Sequence, residues 1–310
     1  MSHTVLNVSN VTLSQMKAHY AAYSTGKLPA GAVFAAKTSA CSITGYRSGK
    51  VLFQGKEAQS EAAKWPGETA KAAPAKQKKP SAVSLPPGFS GMSVIGSDEV
   101  GTGDYFGPIT VVSAYVRKDQ MNELKDMGVR DSKDLTDSQI VSIAKKIAKI
   151  VPYSLLILKN EKYNELQQTG MSQGKIKALL HNQALINLHE KILPERPEAV
   201  LIDQFAEEST YYRYLKDQKR VFQENVFFST KGESIHLSVA AASIIARYAF
   251  VKQMDKLSSE AGFTIPKGAG SQVDAAAARL IREKGEDALL YFTKKHFANT
   301  EKAKKLINKY

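Results

Sequence analysis

The chain has 310 residues, 43% hydrophobic and 24% charged, with a formal net charge of +13, the balance of a soluble globular protein of one large or two modest domains. Its single cysteine, Cys41, excludes an internal disulfide and suits a reducing compartment. No apolar run reaches the ~18–20 residues of a membrane span, and the opening MSHTVLNVSN lacks the basic start and apolar core of a secretory signal; a cytoplasmic protein with no membrane contact is expected.

Residues 1–65 read as a small α+β unit. TVLNVS and AVFAAK have strand composition, and TLSQMKAHYAAY between them is spaced as an amphipathic helix. SITGYRSGKVLFQG alternates about Ser48-Gly49 as a tight hairpin, and KEAQSEAAKW follows as a helix. Residues 1–90 carry eleven Lys or Arg against three acids, a net of +8, and the first 56 residues hold no acid at all. Such a unit attracts a polyanion by neutralising phosphates and releasing counterions. Alternate residues of the hairpin share a face, which makes Tyr46, Arg47, Lys50 and Gln54 candidates for a duplex-binding surface. Residues 66–91, rich in Pro, Ala, Lys and Ser without apolar periodicity, read as a linker.

Residues 92–310 form the second expected domain. MSVIGSD, ITVVSAYV, YSLLILKN, AVLID and VFFST are its strands. The short connection between the first two makes them antiparallel, and the helical stretch KIKALLHNQALINLHEKIL makes AVLID a parallel crossover strand. A long helix, SVAAASIIARYAFVKQMDKLSSEAG, follows the fifth strand and carries small residues on one face. The expected architecture is α/β, a mixed five-stranded sheet with flanking helices.

Asp98 and Glu99 close the first of these strands and Asp203 closes AVLID. A carboxylate at the end of a buried strand is costly unless something compensates it, and open α/β sheets bind ligands at their strands' carboxyl ends. Neighbouring strands lie about 4.8 Å apart, so adjacency would aim Asp98 and Asp203 at one point. Glu233, just ahead of the long helix, offers a fourth oxygen donor. Oxygen donors without His or Cys suit Mg²⁺ or Mn²⁺ rather than zinc, and two such ions can drive an in-line phosphodiester displacement. The bland alternative is that these acids are turn and cap residues.

Gly101, Gly103 and Gly107 come close to a dinucleotide fingerprint. That fingerprint opens a helix, whereas Pro108 and ITVVSAYV here lead into a strand. The glycines therefore read as a place where backbone approaches a bulky ligand, beside carboxylates a nucleic-acid strand. Tyr105 and Phe106 suit either a sugar contact or the core.

GSDEVGTGDYFGP, GVRDSKDLT, AVLIDQF, KGESIHLSVAAASIIARY and PKGAGSQVD…KKHFANT occur in this order. Together they resemble the type 2 ribonuclease H family, and within it the HIII branch of Bacillus-like bacteria. GYRSGKVLFQGKEAQSEAAKW resembles the hairpin, basic turn and helix of a half TATA-binding protein, a module that branch carries at its N-terminus. The resemblance implies a ribonuclease H-like fold and an endonuclease that cuts the RNA strand of RNA/DNA hybrids, leaving 5′-phosphate and 3′-hydroxyl ends. It assigns the catalytic and metal-binding positions to Asp98, Glu99, Asp203 and Glu233, with two ions of Mg²⁺ or Mn²⁺. The sister HII enzymes carry Asp at the position of Glu233 and Gly-Arg-Gly at that of Gly101-Thr102-Gly103. With Thr102 in place of the Arg, full hybrids rather than lone ribonucleotides are the expected substrate. Ser97, Gly101, Thr102 and Gly103 are the candidate readers of the 2′-hydroxyl. Lys133 is the expected phosphate contact, with Lys231, Lys175 and Lys177 weaker candidates, and His296 receives no catalytic role. A monomer without an obligatory protein partner is expected. A non-catalytic nucleic-acid-binding protein and a DNA-directed two-metal nuclease are the alternatives.

Overall fold

The computed structural model describes residues 3–26, 28–29, 31–65, 68–69 and 85–307. The chain divides into two compact units, residues 1–81 and 82–310. No helix among the described residues is long and apolar enough to cross a membrane.

The first unit runs β1 (His3–Asn7), α1 (Asn10–His19), β2 (Ala32–Lys37), β3 (Ser42–Tyr46), β4 (Lys50–Gln54), α2 (Ala58–Ala62) and β5 (Glu68–Thr69). Its sheet has the order β2-β3-β4-β1-β5. The first helix begins two residues ahead of the sequence expectation because the Ser9 hydroxyl accepts from Thr12 N and caps it. The second is shorter than expected, starting without a side-chain cap at Glu57 and closing at Ala63. Ile43, Val51 and Phe53 point from the sheet into a core with Leu13, Met16, Ala58 and Ala62. Alternation turns Ser42, Thr44, Tyr46, Lys50, Leu52 and Gln54 to the opposite side, where they are half-buried or exposed.

The second unit runs β6 (Val94–Val100), β7 (Ile109–Val116), α3 (Met121–Asp126), α4 (Asp137–Ile147), β8 (Tyr153–Leu158), α5 (Asn160–Gln168), α6 (Gln173–Ile192), β9 (Ala199–Asp203), α7 (Glu208–Leu215), β10 (Val226–Ser229), α8 (Gly232–Ile235), α9 (Leu237–Ala261), α10 (Ser271–Lys284), α11 (Ala288–Phe292) and α12 (Asn299–Ile307). The sheet order is β10-β9-β6-β7-β8, with β6, β7 and β8 antiparallel in sequence and β9 and β10 parallel to β6. The mixed five-stranded sheet is thus the one the strand connections predict. All eight residues of β7 are buried, because helices cover both faces. Val112 and Ala114 meet α9 and α4, while Ile109 and Val111 meet α5 and α6. The α6 helix starts at Gln173, ahead of the sequence expectation, because Ser172 accepts from Lys175 N.

The linker expected at 66–91 is shorter in the structure at both ends. Glu68 and Thr69 pair with β1, and Phe89 is a buried anchor packed with Val94, Leu201 and Val239. The intervening residues 70–84 lie outside the described residues.

Candidate active site

The pleat of β6 decides where its last residues point. Successive side chains alternate faces, so Ile95, Ser97 and Glu99 lie toward α6, and Gly96 and Asp98 toward α9. The structure bears this out: Ser97 and Glu99 bond to His181 of α6, and Asp98 to Ser243 of α9. The neighbouring carboxylates Asp98 and Glu99 therefore enter different environments.

Asp98 is 8% exposed. It lies level with Asp203, since β6 and β9 are parallel with Ser97 beside Ile202. Its Oδ1 accepts from Glu99 N at 2.7 Å and the Ser243 hydroxyl adds a second bond, but no cationic side chain pairs with it among the described residues. Burial, and then the charges of Glu99 and Asp203, push its carboxyl well above the usual carboxylate range.

Glu99 has cationic company. Lys177 Nζ donates to Oε1 and His181 Nε2 donates to Oε2, each at 2.8 Å. Burial works against the Glu99 charge, but His181 and Lys177 outweigh it and hold the carboxyl below its ordinary value. Lys177 and His181 are four apart on α6 and so share one face. Both are steadied by Phe205: the Lys177 ammonium sits 4.2 Å from its ring centre and the His181 ring stacks on it at 5.1 Å. His181 is fully buried, its Nδ1 2.7 Å from Ser97 Oγ. Because a carboxylate only accepts, Nε2 carries a hydrogen.

Asp203 and Glu233 come together through α8. Asp203 Oδ1 accepts from Gly232 N at 2.8 Å, fixing the residue before Glu233. Glu233, 8% exposed, takes a 2.5 Å bond from Lys133 Nζ. A fifth acid, Asp131, hydrogen-bonds Glu233 and is stiffened by its own bond to Lys133 N. Burial, with Asp131 adding to it against the pull of Lys133, raises the Glu233 carboxyl. The Lys133 loop is docked through Ser132, whose hydroxyl is 2.8 Å from that of Ser243. Ser243 thus touches both Asp98 and the loop bearing Lys133.

Among the described residues, no three His, Cys, Asp or Glu side chains converge on a single point as they stand; Glu99 is turned to Lys177 and His181, and Glu233 to Lys133. In charge and donor type, Asp98, Glu99, Asp203 and Glu233 nevertheless fit hard divalent cations. All are oxygen donors, and Asp98 is a buried carboxylate beside two others with no compensating cation among the described residues.

Some predicted substrate contacts need correction. Ser97 is fully buried and bonded to His181 and to Val112 O, so it cannot reach a substrate; it braces the far side of His181. Gly101 is also buried, and a Cβ there would lie 2.2 Å from Pro108 O, which makes it a turn residue at φ +96°. Thr102 is half-buried and Gly103 exposed. Tyr105 and Phe106 are core residues, both with no exposed surface. Lys231 is exposed, in the left-handed region at φ 60°, and Lys175 faces Asp217 at 3.9 Å. His296 is exposed, its ring against that of Tyr163. In the first unit, Tyr46, Lys50 and Gln54 lie on the helix-free sheet face and Arg47 in the exposed turn. Sequence reasoning missed His181, Ser243 and Asp131. The four-residue spacing from Lys177 was the signal for His181; nothing in the small-residue run AAAS marked Ser243.

Residues 95–300 match the family model of ribonuclease HII, and residues 3–79 that of a domain of unknown function, DUF3378. Ribonuclease HIII of Bacillus velezensis is 60% identical over 311 residues, covering 100% of this chain and 99% of that protein. The Bacillus subtilis ribonuclease HIII is 57% identical over 315 residues, covering 100% and 99%. Among solved structures, Bst-RNase HIII in complex with Mn²⁺ is 47% identical over the full length of both chains, with a TM-score of 0.71. Aquifex aeolicus RNase H3, at 21% identity, 94% and 98% coverage and a TM-score of 0.53, shares the fold. With that identity running through both units, and with paired carboxylates at the ends of neighbouring strands, the chain belongs to the ribonuclease HIII family.

Proposed function

We propose that this protein is an endonuclease that hydrolyses the RNA strand of RNA/DNA hybrids, leaving 5′-phosphate and 3′-hydroxyl ends. The observation that carries this reading is Asp98, buried between Glu99 and Asp203 with no cation of its own among the described residues: a stable fold does not gather like charges there without a positive ligand to receive them. Asp98, Glu99, Asp203 and Glu233 would hold two Mg²⁺ or Mn²⁺ ions. Bound there, such ions activate a water and stabilise the departing 3′ oxygen. The chain's own residues set the rest. Lys177 and His181 hold Glu99 ionised, Ser243 orients Asp98, and Lys133 beside Glu233 supplies positive charge for a scissile phosphate. Gly103 and Thr102, at the accessible edge of the glycine loop, face the sugar. We read the enzyme as a cytoplasmic monomer.

The test is cleavage mapping on a labelled hybrid, on a DNA duplex holding one ribonucleotide and on an all-DNA duplex. Cuts along the hybrid that vanish with EDTA, and little cutting at the lone ribonucleotide, are expected. Cleavage of an all-DNA duplex would support a DNA-directed nuclease instead, and binding without cleavage a pure binding protein.

The first unit serves as the affinity module in this reading. Its open sheet face, with Tyr46, Lys50 and Gln54, and the Arg47 turn offer cations and an aromatic ring to a duplex backbone. Removing residues 1–81 is expected to raise KM several-fold and to flatten the salt dependence of binding, while kcat falls much less. Titrations at two salt concentrations check this; an unchanged salt slope would reduce the unit to a structural role.

A further inference from the structure

The loop from Gly101 to Gly107 is held by side chains that neither the metal site nor the substrate accounts for. Lys294 has no exposed surface, yet among the described residues its Nζ forms no ion pair, the Asp104 carboxylate acting on it only at longer range. It donates to Asp104 O at 2.8 Å and to Gly107 O at 2.5 Å. Around it the loop is tied to the C-terminal segment: Lys294 N donates to Tyr105 O, Gly107 N to Phe292 O, and Tyr105 N to Gly268 O. Asp104 Oδ1 accepts from Gly268 N at 2.6 Å. On the other side, Gln173 Nε2 in the first turn of α6 donates to Thr102 O at 3.0 Å and to Tyr163 Oη at 3.2 Å. One turn further along the same helix, Lys177 holds Glu99.

A buried ammonium is among the most costly groups a fold can carry; here burial lowers its pKa to about 7. A methionine of similar length would fill the same space without that cost. What methionine lacks is donors, and the donors of Lys294 are spent on two carbonyls of one loop. With Thr102 O taken by Gln173, three of the loop's carbonyls are turned inward by side chains. Gly103 between them is exposed, and a Cβ built there meets nothing within 4 Å.

We propose that Lys294 and Gln173 are positioning residues for sugar discrimination: from opposite sides they lock the carbonyls of Thr102, Asp104 and Gly107 inward, so that the backbone at Gly103 is presented rigidly to the ribose edge of the RNA strand. The inference rests on the reading of this loop as the sugar-facing element. Its function is geometric, since a contact that separates a 2′-hydroxyl from hydrogen must be placed to within a fraction of an ångström.

The test uses the full chain and three variants, K294M, Q173L and G103A, with thermal midpoints recorded for each. Affinity for a hybrid and for a DNA duplex of the same sequence is measured by anisotropy without divalent ions, so the readout is independent of turnover. In K294M and Q173L the hybrid-over-DNA affinity ratio is expected to fall by about tenfold, the scale of one hydrogen bond to a charged or well-placed donor, with DNA affinity unchanged and the K294M midpoint kept or raised. A merely structural role would lower the midpoint and leave the ratio intact. Should K294M fail to fold, Q173L, altered at the half-buried start of a helix, decides alone. A wild-type ratio in folded K294M and Q173L, alongside a reduced ratio in G103A, overturns the positioning role while the loop remains the reader. A wild-type ratio in G103A shows that the loop does not read the sugar and overturns the proposal with it.

Discussion

Replacing Asp98 by asparagine is expected to reduce hybrid cleavage by at least about a thousandfold, the scale on which removing a group that stabilises developing charge acts, while hybrid affinity changes little. Asparagine keeps the shape and one carbonyl oxygen, so the bonds from Glu99 N and Ser243 survive. What disappears is the buried negative charge that Glu99 and Asp203 already oppose. The same substitution should therefore raise the thermal midpoint of the ion-free protein, because the charge it removes is desolvated and repelled in the folded state alone. A second readout separates lost chemistry from lost structure. Mg²⁺ or Mn²⁺ should raise the midpoint of the wild-type protein by mass action and raise that of D98N far less. Cleavage within tenfold of wild type, or an undiminished response to the ions, would remove Asp98 from the site.

Much of this site is legible in the sequence, and the limits of that legibility are physical. Asp98 and Asp203 end two apolar runs, and the crossover rule places those runs side by side, so their convergence follows from pattern alone. Their compensation does not. The cations that hold Glu99 and Glu233 come from 78 and 100 residues away; Lys133 and Lys177 stand out in the sequence only as candidate phosphate contacts, and nothing local marks either as the partner of a particular carboxylate in a chain with +13 net charge. The misplacement of Ser97 has a different origin. Strand alternation already puts it on the face of Ile95 and Glu99, beneath a helix, and proximity in sequence to the glycine loop suggested a surface role that the pleat excludes. Lys294 shows a third limit. Composition gives lysine a solvent-facing prior, and only the closing of the C-terminal segment over residues 104–107 makes it a buried donor.

Gly96→Ala is the smallest substitution with the largest expected structural effect, and it follows from the same pleat. Gly96 faces α9, and a Cβ there would lie 2.2 Å from Val239 N, 2.3 Å from Ser238 C and 2.6 Å from Ser238 O. All three are backbone atoms of the helix's first turn, so no side-chain rotation relieves the contact. Overpacking a core by one methylene typically costs about 1–3 kcal/mol, and a clash with backbone belongs at or beyond the upper end of that range. For a unit of this size, 3 kcal/mol corresponds to a fall of roughly 6–12 °C in thermal midpoint. Activity should suffer beyond what stability explains. The start of α9 is capped by His236, whose Nδ1 accepts from Ser238 N at 3.0 Å, and three residues earlier stands Glu233. A shift of that turn by the ångström needed to admit a methyl group displaces Glu233 from Lys133 and Ser243 from Asp98 together. Cleavage measured well below the new midpoint should thus remain depressed at least tenfold in G96A, the penalty of misplacing reactive groups by about that distance. A midpoint and rate equal to wild type would mean that β6 and α9 do not pack as closely as the carboxylate site requires.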